Sequence, residues 1–323
     1  MGTGCQMMQG HKRMKSVDAA TGVADSIPLQ YPAADNAALS RITFLVIGAQ
    51  KAGTTWLDEA LKAHEDIFTP SVKEMHFFSS NWNYAKGLEW YASHFEEMKN
   101  ERVAGECTPN YLRTVLSNAD NNPDVAGNVP ERVLAAIPNA KLIVSLRNPV
   151  DRAVSAYFHM VTRGKLSPFQ RLRDVTDKFG IAASGYYALN LKAWFEFFDQ
   201  SRFRILCYEE DILPDEAKAT TIQSVYRFLG VDDQFLPNDL YKTHNVRQDN
   251  ALAYLNRIGW LRDSARGRLV ASEINRLTPK FVQDSLEIRV EQADLDALTE
   301  LYAPHNDRLE QLLEREFPWQ KPL

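Results

Sequence analysis

Residues 41–68 have the sequence RITFLVIGAQKAGTTWLDEALKAHEDIF, which predicts a strand, a glycine-containing loop and a helix in succession. Ile42 to Ile47 is a continuous β-branched and apolar run without polar alternation, which is typical of a strand buried on both faces. From Thr54 onward the apolar residues recur at helical spacing. Such a loop directs several backbone N–H groups at one place, and the helix behind it adds the positive end of its dipole. The stretch therefore predicts a phosphate-binding turn.

The loop differs from a Walker A motif, G-x-x-x-x-G-K-S/T, whose lysine reaches the β- and γ-phosphates and whose hydroxyl holds magnesium. Gly48 and Gly53 keep the Walker A spacing, but Thr54 stands where the lysine would be. The lysine of this loop is Lys51, between the two glycines. A cation at that position lies beside the bridge of a phosphate group rather than over a terminal γ-phosphate. The alternative interpretation is a strand–turn–helix junction with incidental glycines.

Length and composition are those of a globular protein. The 323 residues suffice for one large α/β domain or two small ones. A hydrophobic content of 45% and a charged content of 24% are ordinary for such a chain. A formal net charge of −5 argues against a general nucleic-acid-binding protein, which is usually basic, and more weakly against a long polyanionic acceptor.

The cysteines and the N-terminal segment indicate the cellular context. Three widely spaced cysteines form neither a disulfide framework nor a C-x-x-C site. The sequence contains no run of 18 apolar residues, and its first 40 residues lack a signal-peptide core. We expect residues 1–40 to be a flexible arm or a linker from a longer polypeptide, residues 41–323 to form the folded domain, and the protein to be cytoplasmic with no membrane partner.

Residues 69–78, TPSVKEMHFF, contain three ionisable side chains, Lys73, Glu74 and His76. In a short extended piece, alternation places Glu74 and His76 on the same face. A carboxylate beside a phosphate-binding turn is electrostatically unfavourable unless it has a task such as accepting a proton. The alternative is a surface loop of mixed charge.

Residues 141–162 predict a second buried strand, KLIVSL, followed by Arg147 and a helix that begins near Pro149. Arg147 at the end of the strand and Ser155 on the helix can face one pocket. A guanidinium group and a hydroxyl suit a phosphate monoester, because arginine donates two parallel hydrogen bonds. Without further context, an arginine in such a strand–Arg–Pro–helix stretch is more often a surface residue than a ligand.

Further strands and helices predict an α/β fold: a three-layer structure with a mostly parallel central sheet. The remaining predicted strands are 103–106 and 203–208, and the remaining predicted helices are 185–198, 217–229 and 294–317.

Three of these stretches resemble the motifs of PAPS-dependent sulfotransferases, in which PAPS is 3′-phosphoadenosine-5′-phosphosulfate. Residues 48–55 resemble the 5′-phosphosulfate loop of that family, and residues 73–78, KEMHFF, resemble its base-containing string. Residues 147–157, RNPVDRAVSAY, resemble its 3′-phosphate motif. The resemblance covers roughly residues 42–320.

The resemblance implies in-line transfer of a sulfuryl group from PAPS to a hydroxyl or amine, with PAP as the second product and without a metal ion. Glu74 would act as the general base, with His76 as a reserve base or orienting partner, and Lys51 would neutralise charge on the bridging oxygen. Arg147 and Ser155 would bind the 3′-phosphate, and Trp56 and Tyr208 would contact the adenine side. The donor-binding residues implied are Gln50, Lys51, Ala52, Gly53, Thr54, Thr55, Trp56, Arg147, Ser155, Tyr208 and Arg247.

Several alternatives remain open at this stage. The acceptor is expected to be a small molecule or a chain tethered to a carrier protein, with a glycan as the alternative. A small-molecule or nucleoside kinase with the same core would require magnesium, and a nucleotide-sensing module would bind without turnover. The sequence does not indicate an oligomeric state.

Overall fold

A computed structural model of the chain describes residues 39–116, 122–167, 169–242 and 290–319, together with Glu273. Within these ranges, five strands form one sheet in the order β2-β3-β1-β4-β5, and every neighbouring pair is parallel. The strands are β1 (Ile42–Gly48), β2 (Ile67–Phe68), β3 (Val103–Cys107), β4 (Lys141–Leu146) and β5 (Phe203–Cys207). The predicted parallel α/β sheet is confirmed. The two-residue strand β2 was not predicted, because so short a segment shows no periodicity.

The helices follow the strands as a parallel sheet requires. In the described residues they are α1 (Thr54–Lys62), α2 (Asn81–Tyr84), α3 (Leu88–Ser93), α4 (Val129–Ala136), α5 (Pro149–Thr162), α6 (Tyr187–Phe195), α7 (Asp215–Leu229) and α8 (Gln292–Leu313). Helix α5 begins at Pro149, as predicted. The Asn148 side chain caps this start, because it accepts hydrogen bonds from the Val150 and Asp151 N–H groups.

Strand β1 separates two hydrophobic cores, which explains its uninterrupted apolar sequence. Leu45 and Ile47 belong to the first core, and Phe44 and Val46 belong to the second. All four side chains are completely buried. Because successive side chains of a strand point to opposite faces, the alternation places one layer of helices on each side of the sheet. This is the three-layer arrangement predicted from the sequence.

Each layer supplies large apolar side chains to its core. The first core includes Tyr91 of α3, Val133 of α4 and Trp194 of α6. The second core includes Leu57 of α1 and Val225 of α7. Burial of one such side chain contributes about 1.5–3 kcal/mol. The first turn of α1 is therefore held on the sheet by the apolar residues that follow it.

A third core surrounds α5 and binds it to α8. Ala153 and Tyr157 of α5 are buried with Leu298 and Tyr302 of α8. The Tyr302 hydroxyl donates a hydrogen bond to the Ala182 carbonyl at 3.0 Å. Helix α5 is consequently fixed along its length, and the residues at its start have a rigid support.

The carboxyl ends of the parallel strands lie at one edge of the sheet, where ligands of open α/β folds bind. The segments that leave this edge after β1, β3, β4 and β5 begin at Ala49, Thr108, Arg147 and Tyr208. The sheet thus brings together residues that are far apart in the sequence.

The described residues include residues 39 and 40 of the predicted N-terminal arm. Leu39 lies in a 3₁₀ turn, Leu39–Arg41, and is buried in the first core. Residues 1–38 and Arg247, for which predictions were made, lie outside the described residues. None of the described helices is long and apolar enough to cross a membrane.

We expect Gly105→Ala to destabilise the protein. Gly105 of β3 pairs with Phe44 of β1, and a Cβ atom there would lie 2.3 Å from the Phe44 carbonyl oxygen. Overpacking of this kind costs about 1–3 kcal/mol or more, which urea unfolding will measure. Gly127→Ala is the control, because its nearest neighbour is the Cδ1 atom of Leu116 at 3.3 Å. Equal unfolding midpoints for both variants would contradict the expectation.

Candidate active site

The loop after β1 requires glycine at Gly53 for two reasons. Its φ angle is 81°, in the left-handed region, and a Cβ atom would lie 2.9 Å from the Cδ2 atom of Tyr208. Gly53 also precedes the first residue of α1, Thr54, and offers no side chain to cap the first N–H groups of that helix. These groups and the positive end of the helix dipole are therefore directed at the loop, as an anion site requires.

Strand β4 holds the loop in place. The Ala49 N–H group donates to the Ser145 carbonyl at 2.7 Å, and the Ser145 hydroxyl donates to the Ala52 carbonyl at 2.6 Å. Arg147 donates through Nη1 to the Lys51 carbonyl at 3.2 Å. The buried Ser145 was not singled out in the sequence, because a serine inside an apolar run carries no local signal of a partner 93 residues away.

Arg147 lies beside this loop. Its guanidinium carbon is 4.9 Å from the centre of the Tyr208 ring, and the Tyr187 hydroxyl donates to its carbonyl at 2.8 Å. The buried Nε atom of Arg147 has no hydrogen-bond partner among the described residues. A buried N–H group without a partner is costly, so this atom is suited to receive an anionic oxygen.

Helix α5 adds a polar face toward the loop. Burial, with a smaller effect from the positive charges of Lys51 and Arg163, lowers the pKa of His159 to about 4. His159 follows Ser155 by one helical turn, and residues four apart lie on the same face. The half-buried Ser155 therefore lies on the face of α5 that is turned toward Lys51.

Lys51 interacts with charged side chains of both signs. Its backbone is left-handed, with a φ angle of 70°. Burial lowers the pKa of Lys51, the negative charge of Glu74 opposes this effect, and the positive charge of Arg147 adds to it. Lys51 is thus close enough to interact with both the predicted base and the predicted phosphate ligand.

Glu74 and His76 approach each other, but by a different backbone path from the one predicted. The His76 Nε2 and Glu74 Oε2 atoms are 3.8 Å apart. The extended segment predicted from alternation is wrong, because both residues are left-handed, with φ angles of 54° and 52°. Burial lowers the pKa of His76, and the negative charges of Glu74 and Asp124 oppose this effect. The Glu74 side chain is 47% exposed and can reach a substrate.

A buried carboxylate, Glu106, lies at the end of β3 and was not predicted to belong to the site. Its Oε2 atom accepts a hydrogen bond from the Thr108 hydroxyl at 2.6 Å. Its Oε1 atom accepts from the Tyr111 hydroxyl at 2.6 Å and from the Tyr91 hydroxyl at 3.3 Å. Burial raises the pKa of Glu106 to about 7. A charged residue within a fully buried strand was the available signal.

Glu209 connects the start of α5 to a distant part of the chain. Its Oε1 atom accepts a hydrogen bond from the Asn148 N–H group at 2.9 Å, and its Oε2 atom accepts from the Trp319 indole at 2.8 Å. Glu209 therefore has a structural role next to Arg147.

Trp56 is almost completely buried. It is 5% exposed and belongs to the second core, and its indole donates to the Leu240 carbonyl at 2.8 Å. The ring also lines a pocket of about 370 Å³ together with Phe235 and Lys242. Its contact with adenine remains a prediction.

The structure brings most of the predicted residues to one edge of the sheet. The loop carries Gln50, Lys51, Ala52 and Gly53, and α1 begins with Thr54, Thr55 and Trp56. Arg147 and Tyr208 follow β4 and β5. Among the described residues, no group of three His, Cys, Asp or Glu side chains could hold a metal ion.

Residues 41–254 match the family model of the sulfotransferase domain. The membrane-associated sulfotransferase kil1 of Dictyostelium discoideum is 41% identical over 133 residues, which cover 39% of this chain and 25% of kil1. Human heparan sulfate glucosamine 3-O-sulfotransferase 6 is 28% identical over 282 residues, which cover 85% of this chain and 72% of that protein. The chain thus matches only a quarter of the length of kil1 but most of the human enzyme.

A crystal structure of a sulfotransferase from Alicyclobacillus acidocaldarius has the same fold. It superposes with a TM-score of 0.59 at 24% sequence identity, and the match covers 87% of this chain and 99% of that one.

We expect Glu106 to make the protein less stable as the pH rises from about 4.5 to about 7, since the folded-state pKa is raised from 4.5 to about 7. Over this interval the folded state binds a proton that the unfolded state has lost. The stabilisation by this proton is therefore complete below the unfolded-state pKa and is lost as the pH reaches the folded-state pKa. Glu106→Gln removes the titration.

Urea unfolding across this pH range tests the expectation. The free energy of unfolding of the wild type should fall relative to that of Glu106→Gln, and the exposed-carboxyl variant Glu65→Gln should follow the wild type. Parallel pH profiles for the wild type and Glu106→Gln would contradict the expected pKa of Glu106.

Proposed function

This chain belongs to the sulfotransferase domain family, and we propose that it transfers a sulfuryl group from PAPS to a hydroxyl or amine of an acceptor. The observation that supports this most directly is the meeting of Lys51, Arg147 and Glu74 at one edge of the sheet. Arg147 donates a hydrogen bond to the Lys51 carbonyl, and the Glu74 carboxylate acts on the Lys51 ammonium group. Cations for an anionic donor thus face a carboxylate that can accept a proton.

The donor would bind along the loop and the start of α5. The N–H groups of residues 52–55 and the hydroxyls of Thr54 and Thr55 would hold the 5′-phosphate. Arg147 and Ser155 would hold the 3′-phosphate, because the unpartnered Nε atom of Arg147 supplies a donor for it. Tyr208, which packs on Gly53, and Trp56 would lie on the adenine side.

The reaction would be an in-line displacement at sulfur. Glu74 would accept the proton of the acceptor hydroxyl or amine while the new bond to sulfur forms and the bond from sulfur to the bridging oxygen breaks. PAP would leave with the bonding electrons. Lys51 and the first turn of α1 would stabilise the negative charge that develops on the leaving oxygen. The proposal assigns no role to a metal ion.

The acceptor we propose is a small molecule or a carrier-tethered chain. The net charge of −5 favours it over a polyanion. A glycan acceptor is the second candidate, because relatives of this chain are named for heparan sulfate. Thr54, in place of a Walker A lysine, disfavours the kinase alternative. The cytoplasmic location remains a prediction.

Thermal unfolding tests the donor without knowledge of the acceptor. A ligand at 100 times its Kd stabilises a protein by about 2.7 kcal/mol, so PAP should raise the melting temperature by several degrees. ADP and ATP with magnesium should have smaller effects because they lack the 3′-phosphate. A shift with ATP and magnesium but not with PAP would contradict the proposed function.

Arg147→Ala should weaken PAP binding, since it removes charge-assisted hydrogen bonds of about 1.5–3 kcal/mol. Isothermal titration of PAP measures the loss. The control is Arg202→Ala, because Arg202 is exposed and donates to the Asn139 carbonyl instead. Unchanged affinity in Arg147→Ala would refute the assignment of the 3′-phosphate site.

Glu74→Gln should lower turnover by about 10²–10⁴-fold, the usual contribution of a general base, while PAP binding remains normal. Transfer of a labelled sulfuryl group from PAPS to an acceptor found by screening measures turnover. Glu65→Gln replaces an exposed glutamate and serves as the matched control. Turnover close to that of the wild type in Glu74→Gln would transfer the base role to His76.

A further inference from the structure

We propose that Glu106 is a positioning residue, whose carboxylate acts through the hydroxyls of Thr108 and Tyr111 to hold the segment that carries Glu74 and His76. This inference rests on the proposed function, because it explains how the same site is kept in a competent arrangement. It concerns a residue that touches neither the donor loop nor the exposed side of the cleft.

Glu106 is an unfavourable choice for stability alone. It is 3% exposed, in a strand whose five residues are all buried. Its hydrogen-bond partners are three hydroxyl groups rather than a cation. Burial of a carboxylate is costly even when it is hydrogen-bonded, and well-packed apolar residues often stabilise such a position equally or better. The cost is explained if the carboxylate orients the groups that surround it.

Two of the three hydroxyls connect Glu106 to the catalytic segment. The Thr108 oxygen accepts a hydrogen bond from the His76 N–H group at 3.4 Å, and the Tyr111 oxygen accepts from the Phe78 N–H group at 3.4 Å. A hydroxyl has one hydrogen and two lone pairs. When Glu106 is ionised, it accepts the hydrogen of each hydroxyl, and the lone pairs are left for the two backbone amides. The carboxylate therefore determines that both hydroxyls accept hydrogen bonds from the backbone of the segment.

The segment needs such support because its backbone is strained. Glu74 and His76 are left-handed, with φ angles of 54° and 52°, and each such non-glycine residue costs on the order of 1–3 kcal/mol. These conformations persist only when the surroundings determine them. Arg132 adds a further hold, since its Nη1 atom donates to the Phe78 carbonyl at 3.1 Å.

The third hydroxyl provides an internal control. Tyr91 donates to the same Oε1 atom as Tyr111, but its hydroxyl bonds to Glu106 rather than to the segment, and its ring stacks on Phe77 with the ring centres 4.6 Å apart. Tyr91→Phe thus removes a donor to the carboxylate without removing an acceptor for the segment. Tyr111→Phe removes both, and each variant keeps its ring in the core.

Amide hydrogen exchange, measured by NMR on the full chain, tests the positioning role. Thr108→Val, which keeps the shape but loses the hydroxyl, should speed exchange at His76 by about tenfold, the effect of one lost hydrogen bond. Tyr111→Phe should do the same at Phe78. Thr108→Ser should restore the wild-type rate at His76, and Tyr91→Phe should leave both amides unchanged.

Turnover gives the second readout. Thr108→Val should lower kcat by about tenfold while PAP affinity stays unchanged, and Thr108→Ser should recover kcat. Equal loss in Thr108→Val and Tyr91→Phe, or failure of Thr108→Ser to restore exchange and kcat, would overturn the proposal and leave Glu106 a structural residue.

The two proposals fail separately in these experiments. A wild-type protein that transfers no sulfuryl group from PAPS refutes the proposed function, whereas the exchange rates at His76 and Phe78 still decide the role of Glu106. If Thr108→Val does not fold, Tyr111→Phe and Tyr91→Phe give the same comparison at Phe78.

Discussion

The common direction of the five strands is the constraint on which the site depends. Strands that pair in parallel end at the same edge, and here the residues that follow β1, β3, β4 and β5 converge there. The pairing of β1 with both β3 and β4 places the glycine loop between the buried Glu106 on one side and Arg147 on the other. A single hydrogen-bonded ladder on each side of β1 thus sets the spacing of groups that are separated by up to about 100 residues in the sequence.

The edge so formed has two electrostatic sides. Lys51 and Arg147 interact on one side, and burial, together with the charges of Lys51 and Arg163, lowers the pKa of His159. Glu74 faces this group from the other side. A neutral His159 relieves repulsion among the cations while leaving them available for an anion. The opposed signs give an incoming anionic donor and a proton-donating acceptor different places to bind.

The sequence indicated the regular parts of this structure because their signals are local. The apolar run of β1, the left-handed Gly53 at the start of α1 and the Pro149 at the start of α5 each depend on a few neighbouring residues. The remainder depends on contacts between distant residues. The two-residue strand β2 is defined by its pairing with β3, and the left-handed Glu74 and His76 are held by Thr108 and by packing. No periodicity in residues 69–78 encodes that conformation. The lone acid in the strand sequence VAGEC was a visible signal for Glu106, but its hydroxyl partners could be identified only in three dimensions.

The hydrogen bond between Glu209 and Trp319 spans 110 residues, so it cannot form until Trp319 has been synthesised. The ribosome synthesises the residues of the sheet, the glycine loop and Arg147 before it synthesises Trp319. Until then, the Glu209 Oε2 atom, which also accepts from the Cys207 thiol, lacks its indole donor. A nascent chain can therefore acquire its sheet early, while the edge beside Arg147 reaches its final hydration and rigidity only after the residues that follow α8 have been added. Binding competence would then lag behind compactness as the polypeptide grows.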